Sequence, residues 1–177
     1  LYGGDGADLI SLTDITAGGT LVGGNGADTL SLGTAGGAAW LQGDAGQDSI
    51  KVAAASALTI AGGAGLDTIV FTNSNTAATN VDSGSQADLI YVGTAASAIA
   101  AFNGSGTIAG GDGADTIAAL GFASAGSING GAGNDSISFG TGASTAWANI
   151  GTINGGAGTD SISFDASAGA GQTALNF

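Results

Sequence analysis

One phrase constrains this chain more than anything else in it: two adjacent glycines, a third glycine two residues on, then an aspartate followed by an alternating apolar run. It reads GGDGADLISL at 3–12 and GGNGADTLSL at 23–32, and returns as GGAGNDSISF at 130–139 and GGAGTDSISF at 155–164. With substitutions allowed there are eight copies, centred on Asp8, Asp28, Asp48, Asp67, Asp88, Asp115, Asp135 and Asp160, at spacings of 20, 20, 19, 21, 27, 20 and 25 residues. A period near 20 residues is the mark of a solenoid, because a unit that short cannot bury its apolar face alone and must stack on a neighbour.

Alternate residues of a strand share a face. After each aspartate, Ile10, Leu30, Ile50, Ile69, Ile90, Ile117, Ile137 and Ile162 fall at one inward position. Two residues further on come Leu12, Leu32, Val52, Phe71, Val92, Phe139 and Phe164, and the sixth copy is expected to slip, with Ala119 there and Leu120 next. A second strand contributes Leu1, Leu21, Leu41, Ile60, Val81, Ile108, Ile128 and Ile153, each two residues before a glycine pair. The sequence therefore predicts a single all-β domain over 1–177. It is a parallel β-solenoid of about eight coils with roughly 20 residues each: two short strands, a fixed turn carrying the phrase and an irregular turn opposite. The two long spacings place extra residues on the irregular side, where Ile99, Phe102, Trp147 and Ile150 are candidates for lateral contacts with a neighbouring molecule.

Composition narrows the function. All 14 acidic residues are Asp, the single cation is Lys51, and the net charge is −13. Nucleic-acid binding needs Lys or Arg to neutralise phosphates, so it is excluded as an expectation. No apolar run reaches membrane-spanning length, so membrane insertion is not expected. Catalysis by nucleophile and base lacks its usual parts, since the chain has no His, Cys or Glu, and no enzyme activity is expected.

The aspartates raise a physical problem that points to their use. Stacking at the interstrand spacing brings them to roughly 5 Å, where like charges repel by about 0.8 kcal/mol per adjacent pair even in water. Seven such neighbours sum to several kcal/mol, on the scale of a domain's whole stability. Such a column needs cations between its rungs. Glycine-rich turns can aim backbone carbonyls inward, and carbonyls with one carboxylate per coil make an all-oxygen environment suited to Ca²⁺. Seven divalent ions would bring +14 against the chain's −13.

The phrase resembles the Gly-Gly-x-Gly-x-Asp-x-U-x repeat of RTX (repeats-in-toxin) proteins, a calcium-binding parallel β-helix. That resemblance implies one ion per gap between coils. The earlier coil would give the carbonyls of phrase positions two and four with its Asp, and the later coil those of positions one and three with its Asp. The first gap would then use Gly4, Gly6 and Asp8 with Gly23, Asn25 and Asp28, and the second Gly24, Gly26 and Asp28 with Gly43, Ala45 and Asp48. The third would use Asp44, Gly46 and Asp48 with Gly62, Ala64 and Asp67; the fourth, Gly63, Gly65 and Asp67 with Ser83, Ser85 and Asp88. The fifth would take Gly84, Gln86 and Asp88 with Gly110, Asp112 and Asp115; the sixth, Gly111, Gly113 and Asp115 with Gly130, Ala132 and Asp135. The seventh would join Gly131, Gly133 and Asp135 to Gly155, Ala157 and Asp160. The fifth copy departs most, reading SGSQAD with Ser83 and Gln86 in place of glycines, so the sites flanking Asp88 are expected to be the weakest. Only one turn per coil carries the phrase, which predicts a single column of ions along one edge.

Two functions fit. One is a structural subunit, similar to bacterial surface-layer or extracellular fibre proteins, that polymerises head to tail outside the cell. The other is a calcium-triggered folding module of a larger secreted adhesin, toxin or hydrolase. The sequence starts directly in a strand and closes in another without polar caps, which favours stacking. Stacking would create an eighth site from Gly156, Gly158 and Asp160 with Gly3, Asp5 and Asp8 of a second copy, with Leu1 and Leu175 competing for one rung.

Overall fold

The computed structural model describes residues 1–72, 79–92, 106–119, 127–139 and 151–164. Ile99, Phe102, Trp147, Ile150 and Leu175 lie outside the described residues. The rest is all β, with every strand paired in parallel.

The strands are β1 (Tyr2–Asp5), β2 (Leu9–Ile15), β3 (Gly19–Asn25), β4 (Thr29–Ala45), β5 (Ser49–Ala64), β6 (Thr68–Phe71), β7 (Thr79–Ser85) and β8 (Leu89–Val92). They continue as β9 (Thr107–Asp112), β10 (Thr116–Ala119), β11 (Ser127–Ala132), β12 (Ser136–Phe139), β13 (Ile153–Ala157) and β14 (Ser161–Phe164). Strands that follow an aspartate pair in the order β2, β4, β5, β6, β8, β10, β12, β14. Strands that lead into a glycine pair follow the order β1, β3, β4, β5, β7, β9, β11, β13. This is a parallel β-solenoid advancing about 20 residues per coil, and the phrase lies along one edge.

The period-2 alternation places the core. Ile10, Leu30, Ile50, Ile69, Ile90, Ile117, Ile137 and Ile162 are register partners from coil to coil. Leu30, Ile50, Ile69, Ile90, Ile117 and Ile137 have no exposed surface, and each such burial contributes about 1.5–3 kcal/mol. Ala119 takes the inward position of the sixth coil, where it pairs with Val92 and Phe139 and is fully buried; Leu120 lies outside the described residues. Phe139 and Phe164 stack with centroids 4.8 Å apart and planes 6° from parallel.

Two expectations need correction. Leu1 is not a core rung; it is 65% exposed, although its carbonyl accepts from the Val22 N–H at 2.9 Å. It has a register neighbour on one side only, which is too little to cover it. The second and third coils are also not pairs of short strands. β4 and β5 each run through the far bend, because coils of nearly equal length can keep pairing there. Their register moves from Ala35↔Ala55 to Ala38↔Ala57 across a bulge, which absorbs the one-residue difference between the two coils. The bend adds Ala35, Ala39 and Leu58 to the core, and the buried Thr79 continues the Ala39 and Leu58 row.

Candidate metal centre

The turn is built by backbone conformation at two phrase positions. Positions two and four have positive φ in every copy, for example Gly4 at 114° and Gly6 at 117°. Where glycine is missing the conformation persists: Asp44 sits at 77° and Gln86 at 81°. Strand pairing on both sides fixes the turn firmly enough to force two side-chain-bearing residues into a region they disfavour, at about 1–3 kcal/mol each.

The first glycine is needed for a different reason. A Cβ on Gly3 would lie 2.6 Å from Asp8 Oδ2 and 2.6 Å from the Gly23 carbonyl oxygen. The same two kinds of oxygen crowd the Cβ positions of Gly23, Gly43, Gly62, Gly110 and Gly130. Position one is therefore a cradle where a carboxylate oxygen and the next coil's carbonyl converge. At positions two and four the carbonyls of one coil aim at the glycines of the next, since a Cβ on Gly24 would strike the Gly4 carbonyl and one on Gly26 the Gly6 carbonyl. The position-three carbonyls of Asn25, Ala45, Ala64, Ser85, Ala132 and Ala157 point back and accept an N–H from position four of the coil before, as in Gly6 to Asn25 at 2.7 Å.

Within this frame the eight aspartates form one ladder. The Asp8 N–H donates to Asp28 Oδ1 at 2.8 Å and the Asp28 N–H to Asp48 Oδ1 at 2.8 Å. The series continues from Asp48 to Asp67 at 2.9 Å, Asp67 to Asp88 at 2.8 Å and Asp88 to Asp115 at 2.8 Å. It closes with Asp115 to Asp135 at 2.9 Å and Asp135 to Asp160 at 3.0 Å. Asp28, Asp48, Asp67, Asp88, Asp115 and Asp135 are at most 3% exposed. The second oxygen is the telling one: Oδ2 of Asp8, Asp28, Asp48, Asp67, Asp88, Asp115 and Asp135 is buried and makes no hydrogen bond.

A buried carboxylate oxygen without a partner is costly. Burial raises the Asp67 carboxyl to about 6 and the Asp88 carboxyl to about 7; the N–H each accepts lowers them, as does the Ser83 hydroxyl at Asp88, and neighbouring carboxylates raise them again. Asp48, Asp115 and Asp135 are shifted upward for the same first reason. Repeated orphaned carboxylate oxygens beside backbone carbonyls of the next coil form a donor set that fits a hard divalent cation. Among the described residues no three carboxylates converge on one point, so most of the oxygens at each gap would come from backbone.

From Asp28 to Asp135 the two oxygens of each aspartate are used differently: Oδ1 accepts the aspartate N–H of the coil before, while Oδ2 is buried beside the gap. Asp5 and Asp112 are exposed at position three, and Asp5 accepts from the Asn25 side chain at 2.8 Å. Sequence reasoning missed what Ser83 does. It is completely buried, and its hydroxyl donates to the Gly110 carbonyl inside the cradle. The signal was present, because Ser83 is the one non-glycine at position one.

A model of the RTX calcium-binding nonapeptide repeat matches residues 1–13, 18–34, 101–121, 127–146 and 152–169, just over half of the chain. No curated protein matches it. The stretch 35–100, with Asp48, Asp67 and Asp88, falls outside that match yet stands in the same ladder.

Proposed function

We propose that this chain, which belongs to the RTX calcium-binding nonapeptide repeat family, is a calcium-folded structural subunit that stacks end to end into an extracellular filament or surface layer. The observation that carries the calcium part is the row of buried, unpartnered Oδ2 atoms opposite carbonyls of the next coil. Calcium, when bound, supplies positive charge and oxygen coordination between the rungs. Phrase positions two, four and six of one coil and one, three and six of the next would hold it. The chain's own residues do the remaining work: Oδ1 fixes each carboxylate by accepting an N–H, and the positive-φ turn holds the carbonyls in place.

RTX repeat proteins are typically secreted, and folding that waits for calcium suits export of an unfolded chain from a calcium-poor interior. No catalysis is proposed. The eight ladder aspartates are spent on one repeated column, and the chain has no His, Cys, Glu or Arg to set beside them. The charge of −13 speaks against nucleic acid, and among the described residues no helix is long and apolar enough to cross a membrane.

Support for assembly comes from translational identity. Each described coil presents to the next the same register it receives, so the face of β13 and β14 is complementary to that of β1 and β2. Such a contact is heterologous and propagates. Gly156 and Asp160 line a cleft of about 240 Å³ beside Ile162, where a further coil bearing Gly3, Asp5 and Asp8 would add its half of a site. Sedimentation at millimolar calcium tests this. Long polymers that shorten in Asp160→Ala or Asp8→Ala are expected. A monomer with full calcium-induced β structure would refute stacking and leave the chain as a folding module of a larger secreted protein.

A further inference from the structure

Seven gaps separate the eight aspartates, and the fifth, between Asp88 and Asp115, is built unlike the others. In the other described copies position one is glycine, and a Cβ there would collide with oxygens. At Ser83 the cradle instead contains a whole CH₂OH group with no exposed surface. Its hydroxyl donates to the Gly110 carbonyl, one of the oxygens an ion in that gap would require, and the same group sits beside the Asp88 carboxyl and favours its charged form. Burial and that bond fix the side chain where it is.

The turn above it has changed as well. The N–H of position four bonds to the carbonyl of position three in the next coil at 2.7 Å for Gly26 to Ala45, 2.8 Å for Gly46 to Ala64, 2.7 Å for Gly113 to Ala132 and 2.8 Å for Gly133 to Ala157. It stretches to 3.3 Å for Gly65 to Ser85 and is not made between Gln86 and Asp112. The rung itself is intact, because the Asp88 N–H still meets Asp115 Oδ1 at 2.8 Å and Ile90 still pairs with Ile117. The fifth gap is thus closed by a side chain and has not been splayed apart.

We propose that the Ser83 hydroxyl replaces the ion at this gap. Its proton gives the Gly110 carbonyl the positive partner that a cation supplies elsewhere, and its CH₂OH takes up the cradle. The calcium column is then two strings, four gaps over coils one to five and two over coils six to eight, joined by a rung held by protein contacts alone. This inference rests on the calcium reading above.

The test is calcium stoichiometry at saturation, measured by equilibrium dialysis with elemental analysis on the full chain, Ser83→Gly and Ser83→Ala, with far-UV circular dichroism to confirm folding. Ser83→Gly clears the cradle and should bind one more ion per chain than the parent. Ser83→Ala still fills the cradle with a methyl group and should match the parent. Equal counts for the parent and Ser83→Gly would overturn the proposal. So would a loss of one ion in Ser83→Ala, which would make the hydroxyl a ligand. Should Ser83→Gly misfold, the parent and Ser83→Ala still decide when the monomer fraction is dialysed, where no ion between stacked chains is counted: six ions in both uphold the proposal, and seven in the parent refutes it. Absence of calcium from all three would instead refute the calcium reading itself.

Discussion

Asp67→Asn should change the stability of this fold in opposite directions with and without calcium. The substitution keeps the Oδ1 that accepts the Asp48 N–H at 2.9 Å, so the ladder is preserved. It replaces the orphaned Oδ2 with an amide that faces the Ser83 carbonyl across the Gly62 cradle and can donate to it. Without metal, the Asp67 carboxyl is raised from 3.8 to about 6, chiefly by burial. At about 1.4 kcal/mol per unit, ionising it in the fold costs roughly 3 kcal/mol at pH 8, and the amide removes that cost. With calcium, the same change takes a charged ligand from the third and fourth gaps. A loss of about 100-fold in affinity at each, about 2.7 kcal/mol apiece, outweighs the roughly 3 kcal/mol gained without metal and leaves the variant less stable by about 2–3 kcal/mol. Far-UV circular dichroism reads both arms: the trimethylamine N-oxide midpoint for folding in chelator should fall, and the thermal midpoint in millimolar calcium should also fall. A variant that needs more osmolyte than the parent in chelator, or melts no earlier in calcium, would refute the assignment of Oδ2 to the ion.

Other predictions follow the same physics. Asp67 and Asp88 titrate higher in the fold than in the unfolded chain, so their contribution to the metal-free fold is complete below about pH 4 and is lost as pH rises through about 6 and 7. In chelator, the osmolyte midpoint should therefore be lower at pH 5 than at pH 8, and the reverse order would contradict the burial argument. Asp28→Ala removes a carboxylate shared by two ions and leaves the Asp8 N–H without its acceptor, whereas Asp88 serves one ion if Ser83 closes the fifth gap. Calorimetric midpoints at fixed calcium should fall further for Asp28→Ala. Gly23→Ala drives a methyl group into Asp28 Oδ2 and should abolish binding in the second gap, read as one ion lost per chain. Ile69→Ala opens a cavity in a fully buried rung and should cost about 2–5 kcal/mol in urea unfolding with calcium present.

Much of this was legible in the sequence because the solenoid repeats one local rule. The alternation after each aspartate identified the Ile10 ladder and the residue two before each glycine pair the Leu21 ladder, since inward positions recur at one period and need no long-range information. The far bend was not legible. Whether β4 and β5 pair through it depends on two coils of nearly equal length lying side by side, a relation between segments that no single repeat carries. The division of labour within each carboxylate was hidden for a similar reason, because Oδ1 is satisfied by a backbone N–H about 20 residues away. Ser83 was visible as a departure from glycine, but only the Gly110 carbonyl beside it reveals what its hydroxyl does.

Calcium titration of the chelator-treated chain, followed by far-UV circular dichroism at pH 7.5, tests the central claim most directly. Binding energy here is folding energy, so the metal-free chain should give the spectrum of a largely unfolded polypeptide and gain its β signal cooperatively as calcium is added. A β spectrum that survives complete removal of calcium would show that the aspartate ladder holds the solenoid together without the ion.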